Sequence, residues 1–268
     1  MNKEGIISEL KRISKNLGYS VKKRDIPYNF YNYCIKKFGS FNKAKKKAGL
    51  ETRNERIVNF PINAFKSDED LAKIISYLTF DGHLYNDLSA FYLSSCKISI
   101  LKDFERLVKN KFGMAGKYYF YNGGIKNNTH KFIVFNKRIC KKLLSLGVPK
   151  GDKSIQKFNI PKWVFSSKPL AREYLKTAFL CKGSFKEESK RTPRIQINIS
   201  KSESTLSSGL EFMNSLKEML GMFGISTTKI YISGKRIRKR DSKISRDIKF
   251  RIEIKDNNKF INEIFSFT

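Results

Sequence analysis

IISYLTFDG, residues Ile74–Gly82, and LKTAFLCKG, residues Leu175–Gly183, stand about a hundred residues apart, and each opens the same string of elements. In the first half, the helix DLAKIISYLTFDGHL runs up to Asp81-Gly82, and Phe91 to Ser94 reads as a short strand. A helix in KISILKDFERLVKNKFG, two aromatic-rich strands (Lys117 to Tyr121 and Lys131 to Phe135) around Gly123-Gly124, and a helix in KRICKKLLSLGVP follow. In the second half, LAREYLKTAFLCKGSF is helical up to Lys182-Gly183 and Arg194 to Ser200 is a strand. Then come a helix from about Ser207 to Phe223, strands at Thr228 to Ile232 and Ile248 to Ile254, and a last helix, Asn258 to Phe265. Each half reads helix, two strands, helix, two strands, helix, so the predicted fold class is α+β, with tandem αββαββα halves about a pseudo-two-fold axis. The first half covers residues 69–150, a joining segment with the only Trp covers 151–168, and the second half covers 169–268.

Outside the repeat, residues 1–58 form a separate basic segment. Ile6, Ile7, Leu10, Ile13 and Leu17 recur at helical spacing before Gly18, and further helices are predicted at Asn29–Phe38 and Asn42–Ala48. Fifteen Lys and Arg stand against five Asp and Glu there. Such a small helical domain is either a solvated appendage or a compact DNA-binding unit in the helix-turn-helix style, with Lys43, Lys45, Lys46 and Lys47 touching phosphates. Residues 59–68 close the linker to the first half.

Across the whole chain of 268 residues, 55 Lys and Arg against 24 Asp and Glu leave a net charge of +31. With 40% hydrophobic residues, 22 Phe and 12 Tyr, the chain can bury a core, which excludes disorder throughout. A one-signed charge of this size repels itself in the compact state and implies a polyanionic partner, nucleic acid before an anionic membrane surface. The longest apolar stretches, such as Ala72 to Phe80, fall short of the ~20 residues needed to span a bilayer, and no amphipathic anchor helix supports membrane attachment. Cys34, Cys96, Cys140 and Cys181 form no C-x-x-C pair, and His83 and His130 have no zinc-ligand spacing; they read as reduced thiols and ordinary histidines of a cytoplasmic protein.

Two resemblances sharpen this reading. KKFGSFNKAKKKAGL, Lys36 to Leu50, resembles the short repeat found beside homing endonuclease domains, with Phe41 where a Trp is usual. The two nonamers in their longer context, L-A-x-I-I-S-Y-L and Y-L-K-T-A-F-L, resemble the signature of LAGLIDADG homing endonucleases and related maturases, and the likeness covers nearly all of residues 69–268. It implies a pseudo-symmetric saddle of antiparallel sheets over a DNA duplex, two motif helices in close axial contact, and a monomer. Ser76 and Thr177 are small at the crossing position; Phe80 is large there, with Cys181 opposite expected to leave it room.

Two strands carry the pattern expected of a reading surface. In Arg194 to Ser200 the isoleucines alternate with Arg194, Gln196, Asn198 and Ser200, and from Ile248 to Ile254 Lys249 and Arg251 point away from the apolar face. A half-buried sheet with a solvated face accounts for the alternation equally well. Arg, Gln and Asn, however, match guanine and adenine edges in the major groove. Lys117, Tyr119, Lys131 and Lys229 are the further candidates for nucleic-acid contact. The run from Gly234 to Lys243, with Lys235, Arg236, Arg238, Lys239, Arg240 and Lys243, is expected to be a surface loop too long for a tight hairpin, either simply mobile or a phosphate clamp.

The resemblance also implies chemistry. The last acid of the signature binds a divalent metal, Mg²⁺ or another such cation, over the scissile phosphate; here that residue is Asp81, a type of residue that otherwise simply ends a helix, and the matching residue of the second half is Lys182, followed by Gly183. An ammonium cannot ligate a cation. The chain could therefore cut one strand, bind without cutting, or recruit Glu187 or Glu188 in place of the missing acid. A homing-type DNA endonuclease thus competes with a non-catalytic nucleic-acid binder, either an intron maturase that stabilises folded RNA or a transcription regulator of the same fold.

Overall fold

The computed structural model of the chain describes residues 1–50, 52, 60–120, 129–187 and 193–265. The chain divides into two compact units, Met1–Asn59 and Phe60–Thr268.

The first unit is a three-helix bundle of α1 (Lys3–Leu17), α2 (Tyr28–Phe38) and α3 (Phe41–Lys47). Asn2 caps α1 by accepting from the Gly5 amide at 2.8 Å, and Ser40 caps α3 by accepting from Lys43 at 3.1 Å, each relieving an otherwise unpaired N–H of the first turn. Ile6, Leu10, Val21, Ile26, Cys34, Ala44 and Ala48 close its own small core.

The second unit contains the duplication. The first half runs α4 (Glu69–Phe80), β1 (Gly82–Leu84), β2 (Phe91–Ser95), α5 (Ile98–Phe112), β3 (Lys117–Phe120), β4 (His130–Val134) and α6 (Lys137–Ser145). The second runs α7 (Lys168–Lys182), β5 (Gly183–Glu187), β6 (Pro193–Ser202), α8 (Leu206–Gly221), β7 (Tyr231–Ile237), β8 (Ile244–Arg251) and α9 (Asn257–Phe260), which continues as a π-helical turn over Ile261–Phe265. The two four-stranded sheets are antiparallel and share one order, β1-β2-β4-β3 and β5-β6-β8-β7. The fold is therefore α+β with duplicated halves.

The motif helices pack against each other along their length. Every residue from Ile74 to Phe80 is buried, and Ser76 lies wholly inside, its hydroxyl donating to the Tyr174 carbonyl of α7 at 2.8 Å. A small side chain lets the backbones approach closely enough for that bond, and on α7 the small Thr177 and Ala178 are buried too. Phe80, large at the crossing, has aromatic neighbours. Its ring packs against Tyr174 (centroids 6.1 Å apart) and Phe212 of α8 (5.8 Å), because the flank of α7 and α8 provides an aromatic pocket.

Both helices then turn directly into strands, which explains the glycine that ends each motif. A Cβ at Gly82 would meet the Leu78 Cα and the Tyr92 carbonyl oxygen at 2.8 Å, and one at Gly183 would collide with the Phe179 carbonyl. In each case one of the collisions is with the residue four positions back on the helix. Gly183 has an ordinary φ, so the requirement is space.

The basic hairpin corrects a sequence expectation. Strands predicted at Thr228–Ile232 and Ile248–Ile254 are displaced toward each other, to Tyr231–Ile237 and Ile244–Arg251, so the first part of the expected loop, Gly234–Ile237, belongs to a strand and the connection shortens to residues 238–243. A bulge between Ser233 and Arg236, with Gly234 at φ 64°, absorbs the irregular register. The turn at Gly123-Gly124 lies outside the described residues.

The helix crossing sets a stability test. Ser76→Leu is expected to destabilise the second unit by about 1–3 kcal/mol through overpacking, whereas Ser76→Ala, which removes only the hydrogen bond, should cost about 1 kcal/mol. Urea unfolding measures both. Equal stability of Ser76→Leu and the unaltered protein would show that the crossing does not need a small residue.

Candidate nucleic-acid interface and motif-end site

Side-by-side packing of α4 and α7 brings the residues that follow them together. Asp81 caps α4, its amide donating to the Tyr77 carbonyl at 3.1 Å, and Lys182 ends α7. The Lys182 Nζ lies 2.7 Å from Asp81 Oδ1, with the two side chains 42% and 26% exposed. The acid of one half and the cation of the other form an ion pair where the two motif helices end. Next to them the Cys181 thiol is pushed above its usual pKa, first by burial and then by the Asp81 charge.

Two further lysines complete this centre. Lys153, from the segment joining the halves, donates its ammonium to the carbonyls of Leu78 (3.2 Å), Phe80 (2.8 Å) and Gly82 (2.7 Å), where α4 ends and its last carbonyls lack helical partners. Lys201, fully buried on β6, donates to the carbonyls of Lys153 (2.9 Å) and Gln156 (2.7 Å) and lies 3.8 Å from the centroid of the Phe158 ring. Lys201 thus fixes the joining segment, and the joining segment fixes the end of α4. Burial, and then the nearby Lys182 charge, bring the Lys153 pKa down to about 7, with Asp81 pulling the other way. Burial brings Lys201 down to about 8. Asp152 is held low: burial alone would raise it, but the Ser154 hydroxyl and the Arg238 guanidinium outweigh that.

This donor set does not fit a divalent metal ion. Mg²⁺ is held by one or two carboxylates, with waters and substrate phosphates completing its six oxygens, whereas here one Asp81 oxygen faces an ammonium and the carbonyls of Leu78, Phe80 and Gly82 accept from Lys153. Gly183 enters β5 paired with Ile197. Among the described residues no group of three or more His, Cys, Asp or Glu comes together. Asp81, expected as a Mg²⁺ ligand with Gly183, is here paired with a cation that the chain itself supplies. Glu187 ends β5 opposite Pro193, and Glu188 lies outside the described residues.

The outward faces of the two sheets are chemically unlike. On the second sheet, Ser184, Gln196 and Arg251 form one cross-strand row, Asn198, Lys249 and Tyr231 the next, and Ser200, Asp247 and Ser233 a third. Lys249 and Arg251 both lie over the Tyr231 ring, at 5.2 and 5.6 Å from its centroid. Arg194 shares the parity of Gln196, opposite Lys186. On the first sheet the rows are His83, Tyr92, Ile133 and Lys117, then Ser94, Lys131 and Tyr119, so this face is more aromatic. Lys131 caps the Tyr92 ring at 4.9 Å.

Several basic candidates take other roles. Arg238 is enclosed, pairing with Asp152, Asp241 and Ser154; it holds the hairpin to the joining segment and is corrected as a phosphate contact. Arg236 pairs with Asp247, and Arg240, largely exposed, approaches Asp152 at 3.5 Å. Lys229, Lys235, Lys239 and Lys243 remain exposed. In the first unit Lys45 is buried, because the short α3 packs that side inward. Instead Lys43, Lys46 and Lys47 join Lys3 and Lys37 around Phe38 in a cleft of about 480 Å³.

Sequence reasoning missed Lys153, Lys201 and Lys3. Lys201 left a signal: it continues the inward parity of Ile195, Ile197 and Ile199, and a lysine at a core register position needs a partner. Lys153 left none.

This geometry defines the class: a duplicated α+β protein with two antiparallel sheets hung from a central helix pair, carrying a basic helical repeat. Residues 1–51 match the family model "Homing endonuclease associated repeat". Two curated proteins are similar in sequence. The tRNA-splicing ligase RtcB of Pyrococcus abyssi is 26% identical over 182 residues, 62% of this chain and 19% of that protein. The replication factor C small subunit of Methanocaldococcus jannaschii is 28% identical over 170 residues, 58% of this chain and 9% of that protein. The chain spans about a fifth and about a tenth of their lengths. Among solved structures, the N-terminal LAGLIDADG domain of DUF199/WhiA is similar at 16% identity and TM-score 0.48, covering 80% of this chain and 88% of that one. The homing endonuclease I-DmoI in complex with DNA and Mn is similar at 12% identity and TM-score 0.45, covering 75% and 98%.

The lysines at the motif ends make stability depend on pH. A lysine whose pKa falls on folding binds fewer protons in the native state, so stability rises with pH between the folded value, about 7 for Lys153, and the ordinary value of 10.5. Denaturation midpoints are expected to climb from pH 7 to 9 and to climb less in Lys153→Met. A flat profile in the unaltered protein would show that the Lys153 amine keeps its proton.

Proposed function

We propose that this chain is a double-stranded DNA-binding protein of the homing-endonuclease type that binds its target without cutting it. The observation that carries this reading is the Asp81–Lys182 pair at 2.7 Å. Where a metal-dependent nuclease needs a free hard carboxylate in each half, this chain has one carboxylate already neutralised and an ammonium in place of the second. The net charge of +31 and the associated repeat in residues 1–51 support a nucleic-acid partner.

Duplex DNA suits the second sheet better than duplex RNA. Gln196, Asn198, Arg194 and Arg251 carry the amide and guanidinium groups that read base edges in a wide major groove, and the major groove of A-form RNA is too narrow to admit them. Saddle-wise, each half would take one side of a pseudo-symmetric site, so one chain suffices as a monomer. The two curated relatives are proteins of unlike name, each similar over a small share of its length, which supports a segment that travels as a module, as a mobile intron or intein element does.

A supercoiled plasmid bearing a site selected from randomised duplexes, incubated with Mg²⁺, separates binding from cutting. The unaltered protein is expected to bind the site and leave the plasmid supercoiled, and Lys182→Asp, which frees Asp81 and adds a second carboxylate, to nick or linearise it. Gln196→Ala should relax sequence preference by about 1–3 kcal/mol at one base pair, while neutralising Lys235 and Lys239 should flatten the salt dependence by roughly one counterion each. Nicking by the unaltered protein that disappears in Asp81→Asn would overturn the closed-centre reading.

A further inference from the structure

The outward face of α2 in the first unit takes no part in the motif-end site. Phe30, Tyr31, Cys34 and Phe38 pack into the bundle core, which leaves Asn29, Asn32, Tyr33 and Lys36 on the other side of the helix, at the i, i+3, i+4, i+7 spacing of a single face. These four residues line one shallow cavity of about 170 Å³. Tyr28 and Tyr33 are 68% and 47% exposed beside it. Among the described residues the four side chains have no hydrogen-bond or ion-pair partner, so two carboxamides, a phenol and an ammonium stand open on one stripe.

The surroundings suit a polyanion. Ile26 to Leu50 holds six lysines and no acid. Of the acids earlier in the unit, Glu9 is held by Arg12, and Asp25 accepts from the Lys22 amide. Helix α3, which follows α2 through the left-handed Gly39, is poorly equipped to read bases: it has seven residues, Lys45 faces inward, and its exposed lysines are point charges without a fork. The carboxamides lie on α2 instead. An asparagine side chain presents a donor and an acceptor together, matching the N7 and N6 groups of adenine in the major groove. A helix about 10–12 Å across fits that groove, about 12 Å wide. The stripe from Asn29 to Lys36, roughly 10 Å along the axis, covers about three base pairs.

We infer that α2 is the base-reading helix of the first unit, with Asn29 and Asn32 selecting adenine in the major groove of a short DNA segment separate from the one the sheets read. The inference rests on the DNA-binding reading above and adds a second recognition element to the same chain. Lys37, Lys43, Lys46 and Lys47, around the neighbouring cleft, supply affinity for the backbone without sequence preference. Duplex RNA does not suit the stripe, because side chains cannot read its deep, narrow major groove.

Site selection with the full chain, from duplexes carrying a long randomised tract, tests this. The expected result is a pseudo-symmetric central site and a separate block of about three base pairs that contains adenine. Asn32→Ala, an exposed change that leaves the bundle core untouched, should lower the preference for adenine in that block about five- to hundredfold and leave the central site as it was. Asn29→Ala should act at a neighbouring base pair, and Asn32→Asp, which keeps the shape but lacks the amide donor, should lose the adenine preference as well. Asn16→Ala, which removes an exposed carboxamide from α1, should change nothing. No preference outside the central site, or a separate block that survives all three changes on α2, would overturn α2 as a reader while leaving DNA binding by the sheets intact. Tighter binding to duplex RNA of the same sequence would overturn DNA as its ligand. No duplex selected under any condition would overturn both readings.

Discussion

The close crossing of α4 and α7 is the constraint on which the rest depends. A wholly buried Ser76 bonded to the Tyr174 carbonyl keeps the two backbones near each other, and the identical sheet order of the halves follows from each helix passing through a sterically required glycine into its first strand. Once the helices are side by side, the residues at their ends have no choice of neighbour. Asp81 meets Lys182 for geometric reasons, and whatever chemistry the centre performs is set by which two side chains occupy those positions.

Electrostatics then fixes what the centre can hold. The C-terminal carbonyls of α4 present partial negative charge, which a metal or an amine can satisfy, and Lys153 satisfies it from within the chain. Lys201 secures the segment that carries Lys153, so the cations are held by a continuous set of ammonium-to-carbonyl bonds running from β6 through the joining segment to α4. Their burial keeps the amines poised near neutrality.

Most of the fold was legible because it rests on periodicity and repetition. Helical spacing located α4, α5 and α7, and strict alternation in Arg194–Ser200 located β6 and its outward residues. The basic hairpin was misread because its partners are remote in sequence: Arg236 and Arg238 are neutralised by Asp247 and Asp152, and without those contacts a run of positive charge looks like a loop. Lys45 was misread because a seven-residue helix in a small bundle buries more of its circumference than its charges suggest, with the aliphatic stem providing the packing. The motif-end site was half legible. Asp81 and Lys182 occupy matching positions of a repeat, but the role of Lys153 arises only from where the joining segment passes.

A crystal structure of the chain bound to its selected duplex in Mn²⁺, with anomalous scattering recorded at the manganese edge, addresses the central claim most directly. The account expects no anomalous peak at Asp81 and an intact Asp81–Lys182 pair with the duplex bound and uncut. Manganese ligated by Asp81, with Lys182 displaced and the adjacent phosphodiester cut, would contradict it.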